Sequence, residues 1–306
     1  MNFRRSDFDV TNRVNTTEPG SVMAEVIRIY RSLYPRGRLR PLRRVFRDIT
    51  ALYRGEHPDY DKCDTEYHDI QHVLDVSLAM ARLLDGYERA RGDGPALGDR
   101  LFVFGIVCAL FHDAGYLCRR GDRKHRRGAE YTRIHVTRGG RLLREYLPTI
   151  GLDEFVAAAP AVLHFTGYER PVKTIRLSDP LLRLLGSLLG SADILAQMSD
   201  RCYLEKCRDR LYPEFVAGGI DRRKTAKGEE VLFSSADDLL RKTPGFFRSA
   251  SQRLDYDLGG AWKFAAPHFG GQNLYMDALR RNINFAETVQ EAPSKFLKRV
   301  APITIN

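Results

Sequence analysis

An all-α fold is predicted by three features of the 306-residue sequence. Apolar positions recur at helical spacing along almost the whole chain. No stretch carries several short alternating runs separated by turn pairs, as strands and hairpins do. A composition of 43% hydrophobic and 29% charged residues is that of a soluble globular chain able to bury a substantial core.

Taken in order, residues 1–20 show no apolar periodicity and no apolar leader core, and read as a loose N-terminal tail of a cytoplasmic protein. Helices follow over 21–34 and over 41–53, where Pro41 suits a first helical position because no amide partner is lost there. The third, over 65–91, has Ile70, Val73, Leu74, Val76, Met80 and Leu83 on its apolar side. His68, His72 and Asp75 form its polar stripe, and four-residue spacing puts the two imidazoles on one face. The fourth, over 99–118, is apolar all round from Leu101 to Phe111, as a buried core helix is, and that run is too short to span a bilayer. Further helices are predicted over 128–146, 152–164, 179–198, 200–217, 234–241 and within 271–289. Breaks fall at 91–99, 167–180 and 217–229, where Gly, Pro and charged residues cluster. No repeat or low-complexity linker divides the chain. Residues 21–230 are therefore expected to form one helical domain, with 231–306 a helical extension packed on it.

A net charge of +10 is compatible with a nucleic-acid partner, but much of it sits in two short runs, 36–47 and 119–127, and such runs are commonly solvated faces. The five cysteines are an odd set without a C-x-x-C spacing, which fits neither a disulfide framework nor a thiolate zinc site.

Polar residues inside apolar helices carry the functional signal. His112 and Asp113 end the most apolar helix, Asp193 interrupts the Leu-rich helix over 179–198, and His72 sits on a third. Burying such groups costs several kcal/mol unless they are paired or hold a cation. A satisfied core His–Asp pair accounts for 112–113 alone, and a helix-end bond for Asp193 alone. One bound metal accounts for all three helices together.

The order His72, His112-Asp113, Asp193 resembles that of the HD-domain metal-dependent phosphohydrolase superfamily, which implies an HD-domain helical bundle. Two-metal members insert two histidines between the HD pair and the last aspartate. The resemblance therefore implies His135 and His164 as further ligands and Asp113 as a bridge, a surface role for His135 and a helix C-cap for His164 being the less favoured alternatives. Imidazole-rich, thiolate-free ligation suits two divalent ions, Fe, Mn or Zn, with Mg possible at one site.

"YHDIQHVLDV" is similar to the Tyr-His-Asn-x-x-His-x-x-Asp-Val signature of class I cyclic nucleotide phosphodiesterases. That likeness makes His68 the general acid for the leaving oxygen and extends weakly through the acidic-Phe pair at 214–215, covering residues 67–219. It departs at Asp69, where the family has Asn. "HDAGY" instead leans toward the HD-GYP branch, which cleaves cyclic dinucleotides, yet Tyr116 stands where that branch has lysine.

The implied activity is hydrolysis of a cyclic mono- or dinucleotide or another phosphate ester, with His68 and Asp113 catalytic. Arg119, Arg120 and Lys124, just after the HD pair, and Arg138, near His135, are candidate phosphate contacts. His57, His268 and Trp262 read as surface or packing residues; the aromatic stretch 245–269, with Phe247 and Trp262, carries a secondary reading, without a motif behind it, as the wall of a nucleobase slot. Two other readings compete: a diiron oxygenase of the same ligand order acting on a small polyol or phosphonate, and a non-catalytic nucleic-acid binder. The first does not require His68, and the second leaves the buried ligand set unexplained.

Overall fold

Local capping decides where the central helices begin. Asp69 accepts from the backbone N–H of His72 at 2.9 Å and so starts its helix at Ile70, five residues later than the periodicity suggests. Asp179 and Ser235 cap two further helices in the same way. In the computed structural model, which describes residues 4–226 and 228–303, the chain is mostly α-helical.

In order, α1 (Pro19–Leu33), α2 (Arg40–Tyr53), α3 (Ile70–Ala90) and α4 (Gly98–Phe111) precede α5 (His135–Tyr146), α6 (Ala159–Leu163) and α7 (Pro180–Ser199). Then come α8 (Tyr203–Lys206), α9 (Tyr212–Ala217), a hairpin of β1 (Arg222–Thr225) and β2 (Gly228–Val231), and α10 (Ala236–Gln252), α11 (Ala265–His268), α12 (Leu274–Thr288) and α13 (Pro293–Phe296). Central α3 is packed by α1, α4, α7 and α11, and α12 packs on α7. By length and composition α7 would suffice to cross a membrane, but most of it is buried inside this helical body.

Several boundaries differ from the expected ones. Helix α4 stops at Phe111 because the chain turns through His112-Asp113 into a 3-10 turn, Ala114–Tyr116. Residues 128–146 and 152–164 are each broken into a 3-10 turn and a shorter α-helix. Helix α10 continues through Pro244 to Gln252, past the end at 241 that proline suggests. The antiparallel hairpin lies in the expected break at 217–229, fully exposed and held by Arg222–Glu229 and Arg223–Glu230 pairs across the strands. With no buried face it carries no apolar alternation to announce it.

Residues 4–18 are not a loose tail. Val14 and Thr16 are buried, and Asp9, only 4% exposed, accepts from the Val14 amide at 2.9 Å and from the guanidinium of Arg82 in α3. Arg82, itself buried, also donates to the Tyr275 hydroxyl of α12 at 2.9 Å, so one ion pair ties the N-terminal segment to two helices. Losing one partner of such a pair strands a buried charge, and Asp9→Asn is expected to cost about 3–5 kcal/mol in urea denaturation. Burial pushes the Asp9 carboxyl up, but Arg82 and the Val14 amide outweigh it and hold it at about 2. A folded-state value below the unfolded one means that this stability is complete above pH ~4 and is lost as pH falls toward 2. Wild type should therefore lose roughly 2 kcal/mol more than Asp9→Asn between pH 5 and pH 2; equal losses would contradict the assignment.

Candidate metal centre

Three helices deliver their polar groups to one point. Nε2 of His72 (α3) lies 3.3 Å from Asp113 Oδ2, 3.4 Å from Asp193 Oδ1 (α7) and 3.2 Å from His112 Nε2. His112 Nε2 is 3.1 Å from Asp113 Oδ2, and the donor atoms of His72, His112 and Asp113 all lie within 4.8 Å of one another. The other oxygen, Asp113 Oδ1, faces His135 Nε2 at 3.4 Å. One carboxylate thus faces two imidazoles, His72 and His112, through one oxygen and a third, His135, through the other.

Local structure fixes which nitrogen each ring presents. At the end of α4 the Ala109 carbonyl has no helical partner and takes the His112 Nδ1–H at 2.7 Å. The Thr132 carbonyl takes His135 Nδ1–H at 2.6 Å. Both Nε2 lone pairs then point at Asp113, acceptor against acceptor, and Asp113 Oδ2 is buried without a hydrogen-bond donor. Converging lone pairs and an orphaned anionic oxygen fit a divalent cation, with the nitrogen and oxygen donors that Fe, Mn or Zn accept. The field agrees: burial opposes a charge on His72, yet Asp113 and Asp193 raise its pKa to about 10. Asp113 is displaced the other way, since the surrounding imidazoles outweigh its burial and hold its carboxyl well below the usual range.

His164 stands apart from this cluster. It is buried, its Nδ1 is 2.5 Å from Glu169 Oε1, and it faces a neighbouring cleft rather than the cavity containing Asp113. Glu169 lines that cavity beside His135 and lies below the usual glutamate range, burial being outweighed by His164. In the sequence Glu169 follows a break and carries no periodic signal.

His68 reaches the site by another route than a helical face. It precedes the cap of α3, yet its ring centroid lies 5.8 Å from that of His72. Tyr116 is sandwiched between the rings of His68 and His135, 4.5 Å and 4.4 Å away and nearly parallel to both. Gly115 permits this approach, because a Cβ there would come within 1.8 Å of the His135 carbonyl oxygen. Nδ1 of His68 is bonded to Glu214 of α9, whose second oxygen accepts from the Tyr67 amide at 3.1 Å. Burial lowers the His68 pKa, but Glu214 and Asp113 more than reverse this, so the imidazolium is favoured. The acidic-Phe pair at 214–215 marks this carboxylate in the sequence, though not its partner.

The cavity over these groups has a volume of about 470 Å³, a size suited to a small-molecule ligand. Phe215, Phe233, Leu239 and Phe246 form its apolar wall, and Arg133 and Lys242 are its cationic side chains. None of the four expected phosphate contacts lines it. Arg119 lies against Tyr60 and Glu145, Arg120 caps the Tyr60 and Gly55 carbonyls, Lys124 is in the exposed loop, and Arg138 donates to the Gly115 and Leu117 carbonyls. Arg120 and Arg138 thus satisfy backbone carbonyls of the loops after α2 and α4 instead of facing the cavity. Phe247 and Trp262 likewise pack against the core outside the cavity, and Phe246 takes the expected place of its neighbour. No family model, curated protein or solved structure matches this chain.

Proposed function

We propose that this chain is an HD-domain metal-dependent phosphohydrolase, most simply a phosphodiesterase acting on a cyclic mono- or dinucleotide. The observation that carries the reading is the shared Asp113 carboxylate, with His72, His112 and Asp193 on one oxygen's side and His135 on the other's. His72, His112, Asp113 and Asp193 would hold one divalent ion, and Asp113, His135 and the nearby Glu169 a second, with His164 orienting Glu169. When bound, such a pair acidifies water and neutralises phosphoryl oxygens. The chain's own part is to supply a proton, orient the ester and exclude bulk water. His68, whose charged form Glu214 and Asp113 favour, would give its Nε2 proton to a departing alkoxide. Arg133 and Lys242 offer positive charge to the phosphate, and the aromatic wall suits a flat base.

The test is oxygen-free incubation of protein loaded with Mn(II) or Fe(II) with cyclic mono- and dinucleotides and p-nitrophenyl phosphodiesters, products being read by chromatography. Metal-dependent hydrolysis supports the reading. Turnover of a polyol or phosphonate that requires oxygen, with every ester left intact, would replace it by the oxygenase alternative.

Gly115 offers a separate handle. In Gly115→Ala the added methyl meets the backbone of α5 and must push His135 away from Asp113. The expected result is protein with native helical circular dichroism that retains less Mn(II) per chain than wild type by elemental analysis. Unchanged metal content would argue against a second position at His135.

A further inference from the structure

A second cavity, of about 510 Å³, opens on the other side of His164. Arg141 and Arg144 project into it from α5, Arg170 from the turn after α6, and Arg176 from the segment leading to α7. Thr137 and Thr174 add two hydroxyl groups, and no carboxylate lines it. Among the described residues, none of these four guanidinium groups has a hydrogen-bond or ion-pair partner. The contrast with arginines nearby is direct: Arg100 is paired with Glu154, and Arg119 with Glu145. Four like charges gathered from three segments around one concavity repel one another, which favours an anion that brings its own charge.

We propose that this cleft binds a compact polyphosphate anion, such as the phosphate chain of a nucleotide. Guanidinium groups recognise phosphate oxygens in bidentate fashion, and four of them carry more positive charge than a single phosphate dianion neutralises. Nucleic acid is less well matched, because its backbone asks for cations along a stripe at phosphate spacing, whereas these ring one cavity. Ala157, Pro160 and Ile175 give part of the lining an apolar character that accepts a base or sugar. The two cavities share no lining residue, so this site is separable from the metal centre.

The experiment is titration calorimetry of the full-length protein with inorganic tripolyphosphate at low salt. Wild type should bind one equivalent saturably, and binding should weaken as salt rises. Arg144→Ala and Arg176→Ala should each weaken it about tenfold, with a larger loss in the double variant. Arg28→Ala, on α1 and paired with Glu25, should leave it unchanged. The exposed arginines can be removed without disturbing the core, and unchanged thermal unfolding checks this. Equal affinity in wild type and the double variant would overturn the proposal. So would the absence of tripolyphosphate binding alongside an RNA oligonucleotide whose binding depends on the same arginines.

Discussion

Asp113→Asn is expected to lower turnover by at least about three orders of magnitude, roughly 4 kcal/mol of transition-state stabilisation. The side chain keeps its shape, but the anion shared by His72, His112 and His135 is gone, and an amide nitrogen faces lone pairs that were set to meet a cation. A second readout separates a metal centre from a merely structural His–Asp pair. Saturating Mn(II) should raise the wild-type melting temperature, since a ligand at a hundred times its dissociation constant stabilises by about 2.7 kcal/mol. The variant should show no such rise. If wild-type stability is indifferent to metal and the substitution destabilises both forms equally, the pair is structural.

His68→Asn should give the second largest effect, and one that depends on the leaving group. For an ester with an alkoxide leaving group, loss of a positioned general acid should reduce kcat by about 10²–10⁴. For a p-nitrophenyl ester, whose leaving group departs without a proton, the loss should be small. Glu214→Gln tests the same assignment through positioning: without its carboxylate the imidazolium is less favoured, so activity should fall away at a lower pH than in wild type. Equal losses on both esters, or an unmoved alkaline limb, would remove His68 from the acid role.

The parts of the site legible in the sequence are those where a polar residue violates an apolar helix: His72, His112, Asp113 and Asp193 are conspicuous because their neighbours are Leu, Val, Ile and Ala. Supporting residues were hidden for the opposite reason. Glu169, Arg133 and Lys242 lie on exposed-looking segments where charge is ordinary, and only the folding of α10, the turn after α6 and the segment before α5 over the cavity brings them in. The basic run after the HD pair misled because proximity in sequence is not proximity to the cavity: Arg120 turns to the Gly55 and Tyr60 carbonyls, and Arg119 to Tyr60 and Glu145. Helical content was readable from periodicity, whereas the exposed hairpin has no apolar alternation to announce it and the burial of Asp9 depends on Arg82, remote in sequence.

The most direct measurement is the metal content of the protein after anaerobic loading with Mn(II) and removal of free ion, with the electron paramagnetic resonance spectrum of the same sample. A dinuclear centre predicts two Mn per chain with the signal of a coupled pair, reduced in His112→Ala and Asp113→Asn. Wild type retaining no more Mn(II) than those variants would contradict it.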